Sequence, residues 1–413
     1  MALHILDEAN RCLECKNPTC RKGCPINTPI PEVIKLLKEN RLDEAGELLF
    51  ENNPLTTICS LVCNHENQCE GHCVLGRKGN PVHFSAIESY ISSAYAPKMV
   101  KGPAESNGNR VAIIGAGPAG ITIAIILARY GYQVTIFESK DKIGGVLRYG
   151  IPEFRLPKSV LDDLQYRHIE LKGIKIRPNI RIGDAIGIDD LFRDGYKAIF
   201  IGTGVWRPNA LHIRGESLGN VHFAINYLNN PSVYKLGKRV TIIGAGNAAM
   251  DVARTVVRNG SREVTCFSIN KTVAASDYEF SYAQLEGVDF KYNCKPIEIL
   301  DDGVIFRDLI EHDDGTLEEI DGSDWLYPSD SVIIAISQGP INTIVSKTKG
   351  LKSDERGLLI ADEYGYTDRE GIFASGDVVN GARTVVEAVA HSKIVAETMH
   401  QYIQGLSEKK QMK

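Results

Sequence analysis

Two glycine-rich segments constrain this 413-residue chain more than anything else in it. Each follows a short apolar run and leads into a helical pattern, so each reads as a strand, a tight turn and a helix. In the first, residues 111–114 pass through Gly115, Gly117, Pro118, Ala119 and Gly120 into an apolar helix over 121–130. In the second, residues 240–243 pass through Gly244, Gly246, Asn247, Ala248 and Ala249 into a helix that continues from Met250 to Arg254. Further short apolar runs at 134–137, 198–201, 264–267 and 332–336 alternate with helical stretches, the pattern of parallel sheets covered on both faces.

The glycine spacing carries chemistry. Small residues at these places permit the turn, let backbone approach a pyrophosphate, and let the helix pack closely on its strand. The helix start then offers unbonded amides and a partial positive charge to phosphates. After the first unit, residues 133–137 end in Glu138, at the distance where an acid accepts a ribose hydroxyl. We read this unit as a dinucleotide site, against the plainer alternative of an ordinary strand–helix turn. The strand after the second unit ends instead at Ser268. No carboxylate stands there to repel a 2′-phosphate, and Lys271 and Arg254 are candidates to attract one, set against reading both as solvated surface charges.

Two such folds in one chain invite a flavin in one and a nicotinamide in the other. A late strand over 371–375 runs into Gly376-Asp377, and residues 381–386 open a helix over 385–399 with Thr384 and Val385 at its start. An Asp at a strand end can hold a ribityl hydroxyl, and a helix start stabilises the anionic end of a reduced flavin. Taken alone, Gly-Asp is equally compatible with a turn.

The first hundred residues have a different texture. Apolar residues at helical spacing mark 30–37, 42–50 and 84–95, and residues 101–109 have the composition of a linker. Eight of the ten cysteines lie here: Cys12, Cys15, Cys20, Cys24, Cys59, Cys63, Cys69 and Cys73. In a reducing compartment such a cluster binds metal rather than forming disulfides. The run Cys12-x2-Cys15-x4-Cys20-x3-Cys24-Pro25 is close to a ferredoxin run in which the fourth cysteine serves a second cluster. Eight thiols nominally suffice for two 4Fe-4S clusters. Structural zinc is the alternative, although its usual paired Cys-x2-Cys knuckles are not these spacings.

Charge narrows the function. Forty-seven basic against 52 acidic residues leave a net charge of −5, with no surplus to neutralise a nucleic-acid backbone. Met1-Ala2-Leu3-His4 runs at once into charged residues, so no signal peptide is read and a cytoplasmic location is expected. The uncharged stretch 111–128 has the length of a membrane span. Its glycines and proline argue for strand, turn and helix instead.

The chain resembles the family of the glutamate synthase small (beta) subunit and the N-terminal half of dihydropyrimidine dehydrogenase. The resemblance runs from about Cys12 to Met399 through the cysteine run, both glycine turns, the segment 144–157 with Gly145 and Arg148, and Gly376-Asp377. It implies an α/β protein with two Rossmann-like dinucleotide-binding domains, one inserted in the other, preceded by an α-helical iron–sulfur domain. The expected boundaries are 1–105 for the helical domain, 106–228 with 335–413 for the FAD domain, and 229–334 for the NAD(P)H domain. The resemblance also implies that Cys12, Cys15, Cys20 and Cys73 hold one cluster and that Cys24, Cys63, Cys69 and Glu88 hold the other, with Cys59 a non-ligand. Glu88 by itself reads as a charge on the solvated face of a helix. At the nicotinamide site the family's aromatic-Arg-Arg triplet is replaced by Ser268-Ile269-Asn270, so the bidentate grip on a 2′-phosphate is missing. The absent acid and Lys271 still favour NADPH over NADH by a small margin. Glu279 matches a family acid whose role does not follow from sequence.

The implied activity is hydride transfer from NAD(P)H to FAD, then release of single electrons through two clusters to a larger partner subunit of the glutamate synthase type. It needs no proton-transfer residue, so none is named. Other implied outlets are a dihydropyrimidine dehydrogenase-type complex and a ferredoxin reductase, with electron bifurcation as a variant. The non-enzyme alternative is a zinc-stabilised nucleotide-sensing module.

Overall fold

The computed structural model describes residues 4–99 and 102–411, the last five by backbone alone. Met1–Leu3, on which the signal-peptide reading rested, and Lys101, the first linker residue, lie outside the described residues. The remaining linker, 102–109, contains neither helix nor strand. The chain forms two compact units: Met1–Arg148 with Glu153–Val205 and Gly339–Lys413, and Tyr149–Pro152 with Trp206–Gln338.

The helices that open the first unit include α1 (Ile5–Asn10), α2 (Ile30–Lys38), α3 (Leu42–Asn52), α4 (Thr56–Val62) and α5 (Phe84–Tyr95). Pro31 sits in the first turn of α2, where its missing N–H costs nothing. Val33, Ile34 and Leu37 of α2, Ala45 and Leu49 of α3, and Ile87 and Ile91 of α5 are buried together at helical spacing. A glycine inside α3 is explained by packing, since a Cβ on Gly46 would stand 2.3 Å from the Tyr95 ring.

The same unit contains a parallel sheet of β1 (Arg110–Ile114), β2 (Gln133–Phe137), β3 (Lys175–Arg177), β4 (Tyr196–Ile201) and a late strand, Ile372–Ala374. The late strand pairs with β4, and the order continues β4-β1-β2-β3. Helix α6 (Pro118–Arg129) packs against the C-terminal helix Val385–Gln411. α6 begins before the expected residue 121 because Pro118 presets the first helical φ and gives up only an amide that has no partner there. The uncharged stretch is thus divided between β1 and α6, and among the described residues no helix is long and apolar enough to cross a membrane.

The end of α3 is tied to the sheet-bearing part of this unit. Phe50 carbonyl accepts from Arg129 Nη2 at 3.0 Å, and Asn52 carbonyl accepts from Lys393 Nζ at 2.7 Å. The His168 ring stacks on Phe50 with centroids 5.1 Å apart. Burial, reinforced by Arg129 and Lys172, holds the His168 imidazole down to a pKa of about 4.

The second unit has a parallel sheet of β5 (Val221–Phe223), β6 (Arg239–Ile243), β7 (Glu263–Phe267) and β8 (Asp289–Lys291). Its chain then folds β9 (Cys294–Leu300), β10 (Gly303–Glu311), β11 (Leu317–Glu319) and β12 (Trp325–Pro328) into an antiparallel sheet. Finally β13 (Ser331–Ile334) returns to the parallel sheet, whose order is β5-β13-β6-β7-β8. Helices α7 (Asn247–Arg258) and α8 (Asp277–Leu285) pack together in this unit. Beside the expected boundary at 229, β5 pairs in parallel with β13, and the compact unit that holds them includes 206–228. The antiparallel sheet was not foreseen; it is joined to the parallel one by the Phe267–Phe306 stack, with centroids 4.0 Å apart.

The depressed His168 pKa makes stability depend on pH with a definite sign. The unfolded imidazole binds its proton near 6.5 and the folded one only near 4, so stability falls as pH drops through that window, by at most about 1.4 kcal/mol per pH unit. Denaturation midpoints at pH 4.5 and 7.5 should show a smaller difference in His168→Phe, which keeps the stack and removes the titration.

Candidate functional site

In the first turn, the glycines do different jobs. A Cβ on Gly115, which has φ +98°, would stand 2.6 Å from the Gly202 carbonyl oxygen, and one on Gly120 would stand 1.9 Å from that of Gly115. These two let strand, turn and helix close on one another. Gly117 is the opposite case: a Cβ there meets nothing within 4 Å, so the turn leaves open space at the start of α6. Gly145 closes in from the side, because its Cβ would stand 2.8 Å from Gly117 Cα.

One carboxylate is bonded directly to the same turn, and further polar groups stand on neighbouring segments. Glu138 is buried; Ala116 N–H donates to its Oε2 at 2.7 Å and Lys140 N–H to its Oε1 at 2.8 Å. Arg148 donates through Nε to the Ile143 carbonyl at 2.8 Å and pairs with Asp162 at 2.7 Å. A Cβ on Gly376 would stand 2.9 Å from that of Ala119, which brings the late strand against α6. Burial, with Glu387 adding, pushes the Asp377 carboxyl up to about 6. Thr384 caps the C-terminal helix: its Oγ1 and N–H donate to Glu387 Oε2 at 2.5 and 3.0 Å, and Val385 follows as the first helical residue. Open space over Gly117, helix amides and a placed carboxylate fit the phosphates and ribose of a dinucleotide.

The second turn repeats the plan. A Cβ on Gly244 (φ +128°) would stand 2.4 Å from the Ala335 carbonyl oxygen, Gly246 faces open space, and Ala249 is fully buried. Asn247 and Ala248 are exposed at the start of α7, and Asn247 Oδ1 accepts from Ser276 N–H at 2.9 Å. Ser268 is buried and organises the loop that follows β7, donating to the Thr272 carbonyl at 3.1 Å. Lys271 N–H donates to Glu311 Oε2 at 2.7 Å, and its ammonium lies 3.6 Å from Oε1.

Arg254 is not a solvated surface charge. Its side chain is 8% exposed, and it pairs with Glu279 at 2.8 Å and Glu286 at 3.0 Å while lying over the Tyr282 ring. This gives Glu279 a role that sequence could not: it and Glu286 pin α8 onto α7 through one guanidinium.

The cysteines gather as the chain folds. Cys12, Cys15, Cys20 and Cys73 line one pocket with Ile34, Val82 and Phe84, and Cys69 also borders it. Burial pushes the Cys20 thiol up to about 11, with Cys73, Cys12 and Cys15 adding to the effect. Cys69 is raised by burial and by Glu88, Glu70 and Cys24; Cys63 is raised by its hydrogen bond with Cys59, by burial, and by Glu88 and Cys69. Cys59 therefore sits among the second group rather than apart from it. Glu88 is 6% exposed, not on a solvated face, and accepts from Thr56 Oγ1 at 2.6 Å. Burial foremost pushes its carboxyl up to about 7. Thiols and a carboxyl that resist ionising in an apolar setting suit cationic iron, which would stabilise the charged ligands. Among the described residues, no three His, Cys, Asp or Glu side chains converge on a point where one ion would sit.

Comparison with known proteins agrees with this geometry. The pyridine nucleotide-disulphide oxidoreductase family matches residues 83–191 and 109–392, and residues 2–99 match the dihydropyrimidine dehydrogenase domain II, 4Fe-4S cluster family. The glutamate synthase [NADPH] small chain of Escherichia coli K12 is 33% identical over 436 residues, covering 96% of this chain and 91% of the relative. The NAD-dependent dihydropyrimidine dehydrogenase subunit PreT of Salmonella typhimurium LT2 is 31% identical, covering 97% and 95%.

The chain belongs to this family of flavin-dependent NAD(P)H oxidoreductases.

Among solved structures, Mycobacterium tuberculosis FprA in complex with NADPH shares the fold at TM-score 0.62 and 17% identity, over 73% of this chain and 86% of that one. Thioredoxin reductase of T. acidophilum matches at TM-score 0.55 and 22% identity, over 72% and 98%.

Within the first unit of this oxidoreductase, a hydrogen-bonded chain links the flavin-type fold to the cysteines. Lys393, on the helix that Thr384 caps, donates to the carbonyl and Oδ1 of Asn52 at 2.7 and 3.0 Å. Asn52 Nδ2 donates to Thr28 Oγ1 at 3.2 Å, and Thr28 Oγ1 lies 3.2 Å from Cys24 Sγ. Sequence reasoning missed Lys393, Asn52, Thr28 and Glu311, because none of them stands in a motif and their partners are remote in the chain.

Removing the Arg254 guanidinium would leave Glu279 without this partner beside Glu286. Arg254→Gln should cost about 3 kcal/mol of stability, and Arg254→Lys should recover only part because an ammonium cannot fork to both acids. Chemical denaturation of the full chain measures both.

Proposed function

We propose that this chain is the electron-input subunit of a glutamate synthase-type enzyme, receiving hydride from NAD(P)H and delivering electrons to a larger catalytic subunit. The observation that carries the reading is the shared first unit: the C-terminal helix that packs on α6 is joined through Lys393, Asn52 and Thr28 to Cys24. A second reading, a dihydropyrimidine dehydrogenase-type partner, is supported by the likeness to PreT over 97% of the chain. Ten free thiols, four of them buried, suit a reducing compartment such as the cytoplasm.

In this proposal the turn 115–120 cradles the FAD diphosphate, with Glu138 receiving a ribose hydroxyl, Asp377 the ribityl chain, and the Thr384–Val385 helix start facing the ring system. The turn 244–249 holds the pyridine nucleotide. Cys12, Cys15, Cys20 and Cys73 hold one 4Fe-4S cluster, and Cys24, Cys63, Cys69 and Glu88 the other. When bound, the flavin takes electrons in pairs and the clusters pass them singly. The protein's own task is to place and surround: Gly117 leaves room for the diphosphate, Gly376 lets Asp377 approach α6, and Ile34, Val82 and Phe84 line the cysteine pocket with apolar side chains.

Anaerobic purification tests the proposal. One FAD, with about eight irons and matching acid-labile sulfide per chain, is expected from two cubane clusters; a colourless protein overturns it. Gly117→Val should lose FAD while keeping its iron, since the valine fills the diphosphate's space. Glu88→Ala should remove or alter one cluster's EPR signal only, and an unchanged spectrum would make Glu88 a purely structural acid.

A further inference from the structure

We infer that Glu311 makes this chain select NADH over NADPH. The inference rests on the proposal that the turn 244–249 holds the pyridine nucleotide. In such a βαβ unit the end of the second strand meets the adenosine ribose, where a carboxylate welcomes the 2′-hydroxyl and a basic fork grips a 2′-phosphate. Ser268 follows the end of that strand and supplies neither charge.

The loop after it is tightly built. Ser268 Oγ accepts from Asn270 N–H at 3.2 Å and donates to the Thr272 carbonyl at 3.1 Å. Lys271 is the one basic residue in the stretch 268–272. Its N–H is taken by Glu311 Oε2 at 2.7 Å, and its ammonium faces Oε1 at 3.6 Å. The two partners are held very differently: the Lys271 side chain is 58% exposed and that of Glu311 only 14%. The lysine side chain lies outward and is paired with the acid, and the acid, on the last residue of β10, is anchored by a backbone amide. Arg254, the other candidate cation, is committed to Glu279 and Glu286.

A ribose with free hydroxyls therefore meets a placed acceptor whose charge Lys271 partly balances. A 2′-phosphate brings two further negative charges to a loop whose single cation is already paired, beside a carboxylate that cannot withdraw. The acid comes from a strand outside the βαβ unit, far beyond the ~20-residue spacing at which a fingerprint would place it.

The test measures binding of NAD⁺ and NADP⁺ to the purified full chain by calorimetry, together with kcat/KM for NADH and NADPH using ferricyanide as acceptor. The wild type should favour the NAD form by about tenfold or more in both measurements. Glu311→Gln keeps an oxygen for the Lys271 amide and removes the charge, so NADP⁺ binding should tighten by about tenfold while NAD⁺ shifts by less than about threefold. A wild type that prefers NADP⁺, or a Glu311→Gln ratio within about twofold of wild type, overturns the inference. Gly246→Val separates the underlying site from this detail: its side chain fills the space left open at that turn, so both nucleotides should be lost. If both still bind normally, the placement of the nucleotide is itself wrong.

Discussion

The carbonyls at the end of α3 must be satisfied, because a helix terminus buried without partners forfeits its hydrogen bonds. Arg129, the last residue of α6, takes the Phe50 carbonyl, and Lys393 of the C-terminal helix takes that of Asn52. These two cations reach the same helix end from the two helices that cover the first sheet. They turn a cysteine-bearing helical segment into part of the flavin-type unit rather than an appendage on a linker. Burial lowers the pKa of both side chains, which is the expected cost of placing cations there, and the carbonyls they meet are the compensation.

The same backbone requirement is met twice, with different tolerance. In the first turn Gly120 can carry no side chain, since its own turn's carbonyl stands in the way. In the second turn Ala249 occupies the equivalent place and is fully buried without leaving the helix. The strand ends diverge more. Glu138 binds directly to the turn it follows, through the Ala116 amide. At the second turn the acid arrives from the antiparallel sheet, as Glu311, and reaches the loop rather than the turn.

Much of the fold was legible in the sequence for a physical reason. Strands buried on both faces read as short apolar runs, and β1, β2, β4, β6 and β7 fall on such runs, each differing by at most two residues from its expected start. β13 stops at Ile334 instead of 336, and the Ala335 that follows keeps its amide on the Ile243 carbonyl. The antiparallel strands β9–β12 escaped notice because their alternation is broken: β9 shifts register between Pro296 and Glu298, and β11 is exposed throughout. Glu88 was misjudged on its own face of α5, because helical spacing cannot tell a solvated stripe from one covered by Thr56 and the neighbouring cysteines.

The sequence by itself determined the two strand–turn–helix units, the cysteine run and the α/β class, since these depend on glycine's missing Cβ, thiol spacing and local periodicity. The tertiary structure alone decided which charges are available. Arg254 and Lys271 look alike on paper, yet one is buried between two acids and the other is held beside Glu311. It also decided that Lys393, Asn52 and Thr28 stand in line with Cys24. Charge pairing and desolvation act through space between residues far apart in the chain, and no local pattern encodes them.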